Sequence, residues 1–246
     1  MAVRQRLDRL LVARNLAQSV EEAHRLLMSG EVLVDDRPFS KPGALVAEGA
    51  VLRLRQAAHP WVSRGGVKLA HALESWQLSP QGLTCIDVGA STGGFTDVLL
   101  TLGAAKVFAV DVGYGQLAWK LVQDPRVVRL DRTNIREVSP EHLGTLCQMA
   151  VIDCSFISLR RVLPALHPLL RPDSPIIALV KPQFEALPEE VSSGGIVRDE
   201  AVHERVLTDL RDYLAQSAEW RFVGTLASPL PGAKGNREFL LLAFRC

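Results

Sequence analysis

The sequence of 246 residues lacks the features that mark several specialised classes of protein. It has no apolar run approaching the roughly 20 residues of a membrane-spanning helix, and its charged N-terminal segment is unlike a secretory signal. Its cysteines form no C-x-x-C pair, so neither a metal site nor a disulfide framework is expected: Cys85, Cys147, Cys154 and Cys246. These absences predict a reduced, cytoplasmic protein whose 48% of hydrophobic residues build a full core.

Neither sign of charge is in clear excess over the whole chain, because the net charge is only +1. The small excess is unevenly placed: residues 1–68 carry more Lys and Arg than Asp and Glu, and the remainder carries the reverse. A basic head on a mildly acidic body is typical of a module that contacts RNA joined to a second domain. An ordinary solvated surface gives the same imbalance, so charge alone does not decide.

A glycine-rich stretch has the most distinctive pattern. An apolar run ends at Asp87, the glycines Gly89, Gly93 and Gly94 follow, and a helical pattern of apolar residues begins at Phe95. This order predicts a strand, a tight loop and a helix at the carboxyl edge of an α/β sheet, where ligands bind. The spacing G-x-x-x-G-G differs from the G-x-G-x-x-G of dinucleotide enzymes, which argues against a nicotinamide-dependent enzyme.

Acidic residues end successive apolar runs at a regular spacing. Asp87, Asp111, Asp131 and Asp153 are separated by 24, 20 and 22 residues, which is the length of a β-α unit. Parallel strands end at one edge of a sheet, so four carboxylates are expected on one rim. Capping of the following helix would explain any one of them. The next apolar run ends in Lys181 instead.

The last two apolar runs are joined by a segment without a helical pattern, which predicts a hairpin and a reversed last strand. Reversal would bring Glu238, at the start of that strand, to the rim that holds Asp153 and Lys181. Lys68, in the first turn of an earlier predicted helix, completes a set of two lysines and two carboxylates. Such a set can hold a substrate hydroxyl and take its proton.

The first 55 residues or so predict two basic helices, the first over residues 4–14, followed by a small sheet. This order resembles the S4 RNA-binding fold, and two segments match its pattern: Arg6-Leu7-Asp8-xx-Leu11 and Ala23-xx-Leu26-Leu27-xx-Gly30. The resemblance implies phosphate contacts with RNA. The candidates are Arg4, Arg6, Arg14 and Arg64.

Longer motifs cover nearly the whole chain. They lie at residues 62–65, 87–97, 109–119, 132–134, 155–159, 179–185 and 194–197. In these motifs the sequence resembles the TlyA family of S4-containing ribosomal RNA 2′-O-methyltransferases. The catalytic domain of that family is similar to the FtsJ-type methyltransferase fold. The fold class expected is therefore α/β: a Rossmann-like class I methyltransferase with a seven-stranded sheet, its last strand antiparallel, and a small N-terminal S4 domain.

The family's site residues transfer to matching positions of this sequence. The S-adenosyl-L-methionine site implied consists of Asp87, Gly89, Ala90, Ser91, Gly93, Gly94, Phe95, Asp111 and Asp131. Asp111 is expected towards the ribose and Asp131 towards the adenine. The catalytic tetrad implied is Lys68, Asp153, Lys181 and Glu238, with Lys181 as the general base. No metal is implied.

The resemblance also implies the substrate and the organisation of the chain. The substrate is the 2′-hydroxyl of a cytidine in ribosomal RNA within ribosomal subunits, with no membrane partner, and the protein is expected as a monomer or weak dimer. An S4 domain over residues 1–59, a linker over 60–63 and a methyltransferase domain over 64–246 are expected. Two alternatives are a non-catalytic, ribosome-associated RNA-binding protein and a membrane-active protein, because the family also carries a hemolysin label.

Overall fold

The computed structural model describes residues 4–28, 30–54 and 59–246. The chain divides into two compact units, Met1–Pro60 and Trp61–Cys246. Each unit has its own apolar core. The predicted linker over residues 60–63 straddles the division, since Trp61 and Val62 pack against the core of the second unit.

The first unit combines short helices and short strands. Its helices are α1 (Leu7–Ala13) and α2 (Val20–Met28), and its strands are β1 (Arg4–Arg6), β2 (Val32–Val34), β3 (Arg37–Pro38), β4 (Leu45–Ala47) and β5 (Leu52–Leu54). Strand β1 pairs antiparallel with β4, and β2 pairs antiparallel with both β3 and β5. The apolar faces of the two helices meet the inner residues of the strands in one core.

The predicted helix over residues 4–14 begins later than expected, at Leu7. The preceding Arg4–Arg6 pair with Leu45–Ala47 as a short antiparallel ladder. Helical spacing of apolar residues starts only at Leu7, so the three residues before it have no face to bury. Strand pairing satisfies their backbone groups instead.

The second unit is built on a seven-stranded sheet. Its strands are β6 (Thr84–Val88), β7 (Lys106–Asp111), β8 (Val127–Asp131), β9 (Met149–Ile152), β10 (Pro175–Val180), β11 (Trp220–Ala227) and β12 (Phe239–Arg245). Its helices are α3 (Gly65–Ser75), α4 (Gly94–Thr101), α5 (Trp119–Val122), α6 (Pro140–Leu143), α7 (Leu159–Leu166) and α8 (Glu200–Gln216), with short 3-10 turns between some of them.

The strand order is β11-β12-β10-β9-β6-β7-β8. Strands β6 to β10 run parallel to one another, and β12 is antiparallel to both β10 and β11. This is the Rossmann-like arrangement with a reversed last strand that the sequence predicts. Strand order reverses between β6 and β9, and the crevice at such a point is where open α/β sheets bind ligands.

Helices cover the sheet on both faces. Alternate residues of β10 pack into different cores: Ile176 and Ala178 face the helices α7 and α8, and Ile177 and Leu179 face α3 and α4. A strand buried on both sides needs apolar residues at every position, which accounts for the uninterrupted apolar run before Lys181.

Two glycines, Gly66 and Gly94, let the starts of α3 and α4 lie close together. A Cβ on Gly94 would lie 2.9 Å from the backbone nitrogen of Gly66, and a Cβ on Gly66 would lie 2.5 Å from Cβ of Trp61. Neither position has room for a side chain. The close approach fixes the first turn of α3 against the glycine loop and so sets the position of Lys68.

Candidate active site

A cavity of about 350 Å³ lies at the carboxyl edge of the sheet, above the point where strand order reverses. We call it the main cavity. Its walls are the start of α3, the glycine loop, the residues that follow β9 and β10, and the residues that precede β12. The lining residues are Ser63, Arg64, Gly65, Lys68, Gly89, Ala90, Ser91, Thr92, Gly94, Phe95, Asp153, Ser155, Phe156, Lys181, Gln183, Phe184, Gly232 and Glu238.

The two lysines and two carboxylates singled out in the sequence meet in this cavity as two ion pairs. Nζ of Lys181 lies 2.7 Å from Oδ1 of Asp153, and it donates a hydrogen bond of 2.9 Å to Oγ of Ser155. Lys68 pairs with Oε2 of Glu238. The second pair is nearly removed from solvent, with 10% and 3% of the two side chains exposed. A buried ion pair of this kind fixes both groups in one arrangement.

Backbone geometry holds Asp153 against the glycine loop. The backbone nitrogen of Asp153 donates to the carbonyl of Val88 at 2.9 Å, which extends the ladder between β6 and β9. Gly89 has φ +84°, and a Cβ there would lie 2.6 Å from the carbonyl oxygen of Asp153. Only glycine suits both the backbone angle and the space, so Gly89 allows the glycine loop to lie against the backbone of Asp153.

A second cavity of about 430 Å³ adjoins the main cavity across the ends of β6 and β9. The two share Gly89, Ser91, Asp153, Ser155 and Phe156. The remaining lining is largely apolar with a few polar groups: Val88, Val110, Asp111, Val112, Gln116, Thr133, Asn134, Ile135, Cys154, Ile157 and Val162. Together the cavities form a trough that is charged at one end and mostly apolar at the other.

The acidic residues at the ends of β7 and β8 have different surroundings. Asp111 accepts hydrogen bonds from the backbone nitrogens of Ser91 (2.7 Å) and Gly113 (2.6 Å), and it lines the second cavity. Asp131 lines a narrow crevice beside it, where the nitrogen of Gly115 lies 3.4 Å from its carboxylate. Thr133, two residues after Asp131, lines the second cavity.

Asp87 lies beneath the glycine loop, whereas the sequence analysis expects it on the rim. It is fully buried, because β6 continues to Val88, and it accepts a hydrogen bond of 2.7 Å from Oγ1 of Thr96 in α4. Burial raises the pKa of Asp87 to about 7. Its place in the fold is to support the loop from below through α4.

The raised pKa of Asp87 predicts a pH-dependent stability. In the folded state the pKa of Asp87 lies above its ordinary value of 3.8. Protonation of Asp87 therefore stabilises the folded state fully below that pH, and this stabilisation is lost as pH rises through about 7. Between pH 5 and pH 7 the free energy of unfolding should fall by roughly 2–3 kcal/mol more in the wild type than in Asp87→Asn. Urea denaturation at several pH values measures the difference. Parallel curves for the two proteins would contradict this assignment.

Comparison with known proteins follows the two units. A sequence model described as FtsJ-like methyltransferase matches residues 61–245, and a model of the S4 domain matches residues 5–52. The chain is 49% identical over 243 residues to the 16S/23S rRNA (cytidine-2′-O)-methyltransferase TlyA of Mycobacterium tuberculosis, covering 98% of this chain and 90% of that one. The chain belongs to the TlyA family of FtsJ-like methyltransferases.

Other TlyA relatives carry a hemolysin name. Hemolysin A of Brachyspira hyodysenteriae is 35% identical, over 96% of this chain and 98% of that one. A solved structure from Streptococcus thermophilus, also named as a hemolysin, has a TM-score of 0.76 and 41% identity, covering 100% of this chain and 90% of that one. In the described part of the chain, no helix is both long and apolar enough to cross a bilayer.

The arginines expected to contact RNA fall into two groups in this TlyA-family protein. Arg6 is bound to the buried Asp8 by hydrogen bonds of 3.1 and 2.6 Å, and its guanidinium holds the pKa of Asp8 well below the usual range. Arg14 donates to the carbonyl of Ala50 at 2.6 Å. Both therefore brace the first unit. Arg4 is exposed on β1, and Arg64 is exposed at the main cavity.

Several residues that line the trough are not among the site residues predicted from the sequence. Two of them are aromatic, Phe156 and Phe184. Phe156 is 90% exposed at φ +63°, and its ring centroid lies 5.1 Å from that of Phe184. Both lie in motifs that the TlyA resemblance already includes. Nothing in an apolar pattern separates an aromatic residue of the core from one that faces a cavity, so the sequence gives no signal of their exposure.

Proposed function

We propose that this protein transfers a methyl group from S-adenosylmethionine to the 2′-hydroxyl of a cytidine in ribosomal RNA, with Lys181 as the general base. The observation that carries the proposal is the pairing of Lys181 with Asp153, and of Lys68 with Glu238, around one cavity beside a glycine loop. The name of the Mycobacterium tuberculosis relative supports the choice of ribosomal RNA and of cytidine.

The trough fits S-adenosylmethionine by the chemistry of its lining. The mostly apolar second cavity suits a nucleoside, with Thr133 and Asn134 offering polar groups to the base and Asp111 accepting from the ribose. The glycine loop, where a side chain at Gly89 or Gly94 would not fit, suits the close approach of an amino-acid backbone. When bound, S-adenosylmethionine supplies an electrophilic methyl group on a cationic sulfur.

Lys181 acts on the ribose hydroxyl. As the hydroxyl oxygen bonds to the methyl carbon, the carbon–sulfur bond breaks and the hydroxyl proton must leave. Nζ of Lys181, which Asp153 and Ser155 hold at the cavity, takes that proton once it has released its own to solvent. Orientation of the hydroxyl towards the methyl group contributes to rate as much as proton removal does.

The other members of the tetrad position the reaction. Asp153 fixes the side chain of Lys181, because its own backbone is tied to Val88. The buried pair of Lys68 and Glu238 joins α3 to the start of β12, and both residues line the main cavity together with Asp153. In the first unit, the exposed Arg4 and the fold of the S4 domain supply phosphate contacts that carry no sequence information.

Tritiated methyl transfer tests the proposal. Purified protein and S-adenosylmethionine labelled at the methyl group are incubated separately with 30S and 50S subunits, and the RNA is then digested with alkali. Label in RNA, recovered in alkali-stable dinucleotides, is expected, because a methylated 2′-oxygen cannot assist cleavage of its phosphodiester. Lys181→Met serves as the control for contaminating activity.

Two outcomes would overturn the proposal. Label in the mononucleotides that alkali releases would show methylation of a base. No label in the RNA of either subunit, with cofactor binding intact, would favour a non-catalytic RNA-binding protein.

A further inference from the structure

A third concave surface lies outside the main cavity, on the side of α7. It has a volume of about 440 Å³ and is lined by Phe156, Ile157, Ser158, Arg161 and Phe184. We call it the outer cleft. It shares Phe156 and Phe184 with the main cavity, so a chain that leaves the main cavity on this side passes directly over the outer cleft.

Two aromatic rings form one wall of the outer cleft. The rings of Phe156 and Phe184 are tilted by 46° with centroids 5.1 Å apart. Phe156 is 90% exposed and its backbone is left-handed. An exposed aromatic side chain on a strained residue is costly and is found where function requires it.

Arg161 also lines the outer cleft, and it is positively charged. Across the described residues, its exposed guanidinium has neither an ion pair nor a side-chain hydrogen bond. Its neighbour Arg160 differs, because that guanidinium lies 5.5 Å from the ring centroid of Tyr213 on α8. Arg161 is the one charged side chain in the described lining of the cleft, so an anionic group bound there would lie beside a positive charge.

Glu185 holds the two loops of the outer cleft together. Its carboxylate accepts hydrogen bonds from Oγ of Ser158 (2.6 Å) and from the backbone nitrogen of Leu159 (2.7 Å). This joins the turn that carries Phe184 to the loop that carries Phe156. Each carboxylate oxygen accepts one of these hydrogen bonds, and the contact holds the two rings at a fixed separation.

We propose that the outer cleft binds the nucleotide next to the methylated one, with its base against Phe156 and Phe184 and its phosphate on Arg161. The inference rests on the proposed function, which places the methylated ribose in the main cavity. Aromatic rings stack on any base, and an arginine binds phosphate by charge-assisted hydrogen bonds. A single strand that enters the main cavity therefore finds both contacts at its next residue.

Binding of deproteinised ribosomal RNA tests the proposal in the full-length protein. Arg161→Gln and Phe184→Leu should each weaken binding by about tenfold at low salt, and Arg161→Gln should also reduce the slope of log affinity against log salt by about one. Arg160→Gln is the matched control: it removes the same charge from the same helix and should change affinity less than about twofold. Urea denaturation verifies that each variant keeps its fold.

Methyl transfer to whole ribosomal subunits gives the second measurement, and Arg161→Gln should raise KM for the subunit with little change in kcat. Equal behaviour of Arg161→Gln and Arg160→Gln would overturn the proposal. So would a defect of Arg161→Gln on whole subunits that is missing on deproteinised RNA, which would assign the cleft to a ribosomal protein. If the wild type transfers no methyl group, the proposed function fails, and the RNA-binding comparison still decides what the cleft binds.

Discussion

Replacing Lys181 with methionine should lower kcat for methyl transfer at least 100-fold or so, within the range that general-base catalysis contributes. Methionine keeps the unbranched apolar stem of the lysine but has no group that takes a proton. Lys181 directly follows β10, whose residues are all buried or nearly so, and its Nζ is held by Asp153 and Ser155 at the cavity. The loss should therefore appear in the chemical step, with cofactor affinity changed only a few-fold.

Lys106→Met is the matched control for this experiment. Lys106 starts β7, at the opposite edge of the same sheet, and is exposed there. Single-turnover transfer of tritiated methyl groups compares the two variants. If Lys181→Met kept more than about a tenth of the wild-type rate, the general base would have to be another group.

Glu238→Ala should destabilise the protein by about 3–5 kcal/mol, because it leaves the Lys68 ammonium buried without its partner. The double variant Lys68→Met with Glu238→Leu should recover most of that free energy, since an apolar pair of similar volume needs no compensation. The double variant should still fail to transfer methyl groups. Stability and activity would then separate, as expected for a pair that positions a reaction.

An exposed ion pair between α8 and the residue before Glu238 provides the control for Glu238. Glu200 accepts a hydrogen bond of 2.8 Å from Arg237, and these side chains are 72% and 55% exposed. Glu200→Ala should change the free energy of unfolding by less than about 1 kcal/mol. Urea denaturation compares all four proteins. A loss below 1 kcal/mol or so in Glu238→Ala would show that Lys68 reaches solvent when it is unpaired.

The sequence predicts the fold well because strand ends and polar residues coincide. Asp111, Asp131, Asp153 and Lys181 each lie at or next to the end of a strand of the same sheet, as their spacing requires. The reversal of the last strand follows from the missing helix before it, and it brings Glu238 to the same rim. These are properties of spacing, which a sequence displays directly.

The direction in which a side chain points at a strand end is harder to predict than the position of the strand end itself. Asp87 also follows an apolar run, but Val88 extends the strand by one residue, and the Asp87 side chain faces inwards to Thr96. Spacing cannot show which way a side chain points at such a place. The same holds for Arg6, because its partner Asp8 is two residues away and only the fold shows that this carboxylate is buried.

The insertion of β12 between β10 and β11 sets the order in which the site can be assembled. Glu238 is 170 residues from its partner Lys68, and it reaches the rim only when β12 has paired with β10, which also brings the edge strand β11 into the sheet. Contacts of such separation form late in folding because they close long loops. The site is therefore complete only when the C-terminal hairpin has joined the sheet, and activity reports that all seven strands are in place.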